Sequence, residues 1–188
     1  MSKIDEAIVY AAKKHATQKR KGTGQPYLYH PLEVLSLATL ITDDENVWCA
    51  AVLHDTVEDT DATIEEVEKM FGKEVADIVG DESEDKMKGK NKGDTWMERK
   101  QVAIDHVKGL DNIGSKIVCL CDKVSNLRSF QLLQFDRGEK MWDFFNMKDP
   151  KMHYWYYNSL KEALVELKDY SVYKEYEFLL GAVFGRYL

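Results

Sequence analysis

The chain has 188 residues and a mass of 21.8 kDa; 44% of it is hydrophobic, and its formal net charge is −7. A chain of this length buries roughly 70% of its unfolded surface, which excludes a small scaffold that needs staples to fold. The three cysteines, Cys49, Cys119 and Cys121, form no CxxC pair, which excludes a disulfide framework or thiolate zinc site.

Ile4, Ile8, Ala11, Ala12 and His15 recur at three- and four-residue steps and predict a first helix, followed by a loop over Lys19–Tyr29 marked by Gly22, Gly24 and Pro26. Pro31 suits the first turn of a second helix, with Leu32, Leu35, Ala38 and Ile41 as its inward stripe. A third helix, Asn46–Glu58, is apolar nearly all round at VWCAAVL, the mark of a central element, and ends in His54, Asp55, Glu58 and Asp59. Thr63 with Glu66 makes a capping box before a helix that turns Ile64, Val67 and Phe71 inward; Gly72 separates it from Val75–Val79. Asp81–Asp94 reads as a mobile polar loop, and Thr95 with Glu98 repeats the capping box. Ile117, Leu120, Val124 and Leu127 line a long helix over Ile113–Leu133. After a loop over Phe135–Pro150, HYWYYNSLKEALVEL and VYKEYEFLLGAVF form two final helices.

No repeat or linker divides the chain. Its longest apolar runs, Val47–Leu53 and Phe178–Phe184, fall far short of the ~18 residues of a bilayer span, and MSKIDEAIVY lacks the apolar core of a secretory signal. The expectation is one soluble, cytoplasmic, all-α domain over residues 1–188, a bundle of about eight helices, with its oligomeric state left open. Residues 1–30 carry six Lys/Arg against two acids, and residues 31–188 twenty against thirty-one. Such a balance excludes coating of nucleic acid, yet leaves a local basic segment that suits one small anion.

Four polar residues crowd the end of the most apolar helix in LHDTVEDT. A neutral imidazole beside a carboxylate, His54–Asp55, is a natural pair for a divalent metal, and Glu58 and Asp59 one turn later suit proton transfer beside it. Alone, so short a motif reads equally well as a helix that has reached solvent. His30 precedes Pro31 at the mouth of a helix. Asp122, four residues before Asn126, interrupts the apolar run CLCDKVSNL. A buried carboxylate there requires a cation or strong donors, either a metal shared with His54 and Asp55 or an inward-turned Lys116 or Lys123.

The ordered set His30, His54–Asp55 and Asp122 resembles the ligand order of the HD phosphohydrolase superfamily. The fuller set, KRKGTGQPYLYHP, LHDTVEDT, EDK and DKVSNLR, is similar to the hydrolase domain of the RelA/SpoT proteins. With no room for a synthetase or regulatory domain, the chain most resembles the free-standing small alarmone hydrolases. The likeness runs from Ala7 to Arg128, and more loosely to Leu167. It implies an HD-domain helical bundle and a manganese-dependent enzyme that removes the 3′-pyrophosphate of ppGpp and pppGpp. It further implies that His30, His54, Asp55 and Asp122 ligate the metal and that Glu58 and Asp59 act on water and proton. Arg20, Lys21 and Asn126 are implied to contact the nucleotide, and Lys151 and Tyr154 the distal substrate phosphate. Two departures stand out: Ser83 replaces the usual threonine in DESEDK, and Ser125 replaces the larger residue of the commoner DKLYNLR or DRLHNMR.

Other residues take blander readings. His15 is a packed core imidazole, His106 and His153 lack suitably spaced partners, Tyr154–Tyr157 form a packing stripe, Lys86–Lys92 belong to a solvated loop, and Cys119 and Cys121 are small core residues. Two other functions compete with the alarmone hydrolase. The same metal site can remove the 2′-phosphate of NADPH or dephosphorylate another nucleotide, and a silent site would leave a nucleotide-binding module.

Overall fold

In the computed structural model, which describes residues 2–83 and 95–188, helices follow one another with short connections. They are α1 (Lys3–Lys14), α2 (Tyr29–Ala38), α3 (Glu45–Leu53), the single turn α4 (Thr56–Asp59), α5 (Ile64–Phe71), α6 (Lys73–Glu82), α7 (Trp96–Gly109), α8 (Ile113–Arg137), α9 (Pro150–Ala163) and α10 (Ser171–Phe184). Among the described residues there is no strand, only an isolated bridge between Lys19 and Pro26, so the fold is all-α. No described helix is long and apolar enough to cross a membrane.

Local signals account for most boundaries. Ser2 and Asp5 close a capping box on α1, Thr63 Oγ1 accepts from the Glu66 N–H, and Asp149 caps α9 with Pro150 at its first position. Gly72, at φ 94°, turns the chain between α5 and α6 in a conformation that side chains resist.

Helix α8 is the axis. It packs on α2, α3, α6 and α10, while α3 also meets α1, α2 and α6. Gly114 permits a close approach of helices: a Cβ there would lie 2.9 Å from Ile78 Cδ1 and 3.0 Å from Val47 Cγ2. Surrounded in this way, α3 buries six of its nine residues and α8 thirteen of its twenty-five, and the buried polar ones include Asp122 of the site.

The third helix is not continuous to Glu58. It stops at Leu53, where the Thr56 Oγ1 donates to the Leu53 carbonyl at 2.6 Å. His54 and Asp55 thus form a junction, and Glu58 and Asp59 occupy a separate turn. Thr95 precedes α7 but does not cap it with its side chain. Its backbone, at φ −96° and ψ 1°, is not extended as a cap requires, and its hydroxyl instead accepts from Arg99 Nε at 3.3 Å. Helix α8 runs on to Arg137 and is followed by a 3-10 stretch, Gly138–Phe144, where a loop is expected. Asp81 and Glu82 close α6 rather than opening a loop; the EDK motif and Lys86–Lys92 lie outside the described residues.

Candidate metal centre and substrate cleft

Three elements bring the ligand candidates together: His30 from the first turn of α2, His54 from the end of α3 and Asp122 from the middle of α8. All three are buried, and each offers an atom within 4.8 Å of the other two. His30 Nε2 lies 3.0 Å and His54 Nε2 3.9 Å from Asp122 Oδ1. Asp55 lies against the same ring nitrogens, its Oδ2 3.0 Å from His54 Nε2 and 3.5 Å from His30 Nε2.

The outward sides of the rings decide what the inward sides can do. His54 Nδ1 is 2.8 Å from the Ala51 carbonyl, which only accepts, so that nitrogen carries the proton and the neutral ring keeps its lone pair on Nε2. His54 Nε2 is buried and has no hydrogen-bond partner among the described residues, although two carboxylates lie close by. A lone pair facing carboxylate oxygens requires a positive charge between them. In the metal-free chain a proton supplies it: burial opposes the imidazolium, but Asp55 and then Asp122 raise the His54 pKa to about 9. Two imidazole nitrogens and carboxylate oxygen are equally a donor set for a divalent cation, so these residues fit a candidate divalent-metal site.

Burial pushes the Asp122 carboxyl up, but Lys123 and then His30 hold it well below the usual carboxylate range. Lys123 Nζ turns inward to contact Asp122 Oδ2, so the buried acid has both a lysine and the imidazoles for partners. In the same way, the imidazoles of His54 and His30 outweigh burial at Asp55. Tyr27 Oη donates to Asp55 Oδ2 at 2.7 Å and fixes that carboxylate from the loop side.

A cleft of about 710 Å³ opens over this cluster and is lined by Glu58, Asp59, Arg20 and Asn126. A second hollow, of about 530 Å³, shares those four residues and continues towards Lys21. Arg20 is set by a tight loop in which its N–H donates to the Gln25 carbonyl and its own carbonyl accepts from Gly24. Gly22 and Gly24 hold positive φ in that loop, and a Cβ on Gly22 would press within 2.9 Å of Leu133. Arg20 Nη2 donates to Asn126 Oδ1 at 2.9 Å and to Ser129 Oγ at 3.1 Å, while Asn126 Nδ2 donates to Asp122 Oδ1 at 2.6 Å. A continuous path of hydrogen bonds therefore joins the basic loop to a ligand candidate.

Lys151 and Tyr154 are not brought to this cleft. Lys151 is exposed on the first turn of α9, and Tyr154 packs edge-on against Phe184. His15 is buried against Gln18 and Tyr27, and His153 Nε2 bonds the Met147 carbonyl. Sequence reasoning passed over Tyr27, three residues before His30, and Glu82, which lines the cleft. Burial raises the Glu82 pKa to about 7, with Lys123 pulling the other way. For Tyr27 the signal was its place inside GQPYLYHP; Glu82 offers none, as it reads like its acidic neighbours.

A helical fold that gathers histidines and aspartate in the order H…HD…D is that of an HD-domain protein. Residues 7–141 match the HD domain family model HD_4, and the chain belongs to that family. It is 41% identical over 135 residues to the guanosine-3′,5′-bis(diphosphate) 3′-pyrophosphohydrolase MESH1 of Drosophila melanogaster, covering 70% of this chain and 71% of that protein. It is 35% identical over 139 residues to the GTP pyrophosphokinase rsh of Brucella ovis, spanning 71% of this chain but 18% of that protein's length. Among solved structures, a metazoan ortholog of SpoT that hydrolyses ppGpp and plays a role in starvation responses matches with a TM-score of 0.76 at 28% identity. That match covers 100% of this chain and 96% of the other.

Proposed function

We propose that the chain is a manganese-dependent (p)ppGpp 3′-pyrophosphohydrolase, acting as a single domain in the cytoplasm on a small nucleotide. The observation that carries this reading is the buried convergence of His30, His54 and Asp122 beneath a cleft whose rim holds Arg20 and Asn126. The likeness to MESH1 supports the choice of substrate. Asp55, beside both imidazoles, completes the ligand set in this reading.

When bound, manganese acidifies water and neutralises charge on a phosphate oxygen. The rest falls to the chain. The two acids Glu58 and Asp59 face the cleft next to the cluster, where one orients water and accepts its proton. As the water oxygen bonds to phosphorus, the bond from phosphorus to the ribose 3′-oxygen breaks. The leaving oxygen then takes a proton relayed by the same pair, giving GDP or GTP and pyrophosphate. Arg20 supplies a planar, always-charged donor to the nucleotide, and Lys21 adds a point charge at the continuation of the cleft. Asn126 holds Arg20 and Asp122 in register, so substrate and ligand positions are set together.

The test is turnover of ppGpp, pppGpp, NADPH and nucleoside monophosphates by the purified chain supplied with Mn²⁺, with products identified. The expected result is release of pyrophosphate from both alarmones. A clear preference for NADPH makes the 2′-phosphatase the correct reading, and tight binding without turnover of any substrate makes the site a binding module.

A further inference from the structure

A row of polar side chains crosses the molecule behind His30, on the side away from the cleft. Its Nδ1 lies 2.8 Å from Ser125 Oγ on α8. Ser125 donates to Glu33 Oε2 at 2.5 Å, and Glu33 sits on α2 one turn after His30. The other Glu33 oxygen accepts from Arg128 Nη1 at 2.8 Å. Arg128 in turn grips both carboxylate oxygens of Glu175 on α10, at 2.6 and 2.8 Å.

A hydroxyl has one proton. With that proton given to the Glu33 carboxylate, Ser125 Oγ meets the ring as an acceptor, and His30 Nδ1 must be the nitrogen that carries hydrogen. The lone pair of the neutral ring is then left on Nε2, which faces Asp122 and Asp55. Ser125 is fully buried, so the acceptor opposite Nδ1 is part of the fold rather than of the solvent. The small residue in DKVSNLR thus places a hydroxyl against the ring.

We propose that Ser125 and Glu33 are positioning residues for His30. They hold the tautomer and ring plane that direct Nε2 to a metal, and the Arg128–Glu175 clamp makes α10, which lies outside the matched residues 7–141, part of the support. This rests on His30 being a metal ligand. Partners that orient a ligating histidine typically contribute about 10–100-fold in metal affinity.

The experiment titrates the chelator-stripped full chain with Mn²⁺ and counts free ion by electron paramagnetic resonance, with the melting temperature of each metal-free variant recorded alongside. Ser125→Ala is expected to weaken Mn²⁺ binding by about 10–100-fold, and Ser125→Thr, which restores a hydroxyl, to recover it. Glu33→Gln gives an independent route on a more exposed side chain. Its amide can offer its oxygen to Ser125 or to Arg128 but not to both, so Mn²⁺ binding weakens in the same direction. Glu175→Gln is expected to produce a smaller loss, transmitted from α10. Wild-type Mn²⁺ affinity in both Ser125→Ala and Glu33→Gln overturns the proposal while leaving the metal reading intact, as does an equal loss in Ser125→Ala and Ser125→Thr. If Ser125→Ala does not fold, Glu33→Gln decides alone. Absence of Mn²⁺ binding by the wild-type chain overturns the metal reading and this proposal with it.

Discussion

At the metal end of the cleft, His30, His54 and Asp122 are buried, come from three helices and are gripped from behind by acceptors or donors that belong to the fold. At the proposed nucleotide end, Arg20 is partly exposed and Lys21 exposed, and both ride on a short loop, while Glu58 and Asp59 sit on a separate helical turn that lines both hollows. The contrast separates two tasks. A cation needs several donors aimed at one point, which only packed helices hold, whereas a flexible anionic substrate is met by charges on loops that vary without disturbing the core. Changes at the first end should therefore remove the chemistry, and changes at the second should retune it.

The largest effect is expected for Asp55→Ala, which takes away the carboxylate facing both imidazoles. Metal content and pyrophosphate release from ppGpp should both drop to background, and retention of bound metal would remove Asp55 from the ligand set. Glu58→Ala should keep its metal but lose about 10²–10⁴-fold in kcat, as expected for loss of a proton-transfer group; an unchanged rate assigns that role elsewhere. Arg20→Ala strips a charge-assisted bond worth ~1.5–3 kcal/mol from the nucleotide end, so KM for ppGpp should rise by roughly 10–100-fold with kcat little altered. A fall in kcat alone would move Arg20 from the substrate-binding end to the chemistry.

A pH series on the metal-free chain probes the metal end without substrate. The His54 imidazole titrates near its ordinary value of 6.5 when unfolded and at about 9 when folded. Its contribution to stability is complete below pH 6.5 and is lost as pH rises through 9, so the melting temperature should decline over that window. Added Mn²⁺ should oppose the decline increasingly towards high pH, because binding requires the unprotonated Nε2. A flat metal-free profile, read by calorimetry, would show that the carboxylates do not hold a proton on His54. The smallest effect is expected for Lys151→Ala, an exposed residue away from the cleft: ppGpp kinetics should stay within about twofold. A larger change would extend the nucleotide end to α9.

Much of the site was legible from residue types and order. Asp122 stands out because a carboxylate inside an apolar run is costly without a partner, His54 because it pairs with Asp55, and His30 because it precedes Pro31 at a helix mouth; the resemblance to the HD phosphohydrolases joined the three. Asn126 followed from its four-residue step after Asp122, which helical geometry places on the same face; the hydrogen bond between them is that step made explicit. Glu58 was less well served. Periodicity extends a helix through VWCAAVLHDTVED, and nothing in it announces that α3 ends at Leu53 and a separate turn begins at Thr56. Lys123 stood as one of two lysines able to pair with Asp122, and it is the one that does, whereas Lys116 pairs with Glu166.

The helical class, the capped start of α5 and the burial of Asp122 are written in the chain, because periodicity and capping depend on neighbours a few residues apart. Which nitrogen of His30 carries its proton, how Arg20 is tied to Asn126 and how α10 reaches back to His30 were decided by tertiary structure. Each depends on side chains brought within about 3 Å of one another by packing, across as many as 106 residues in the case of Arg20 and Asn126. Hydrogen bonds of that range leave no periodic trace in sequence, because their partners are selected by geometry after the helices have met.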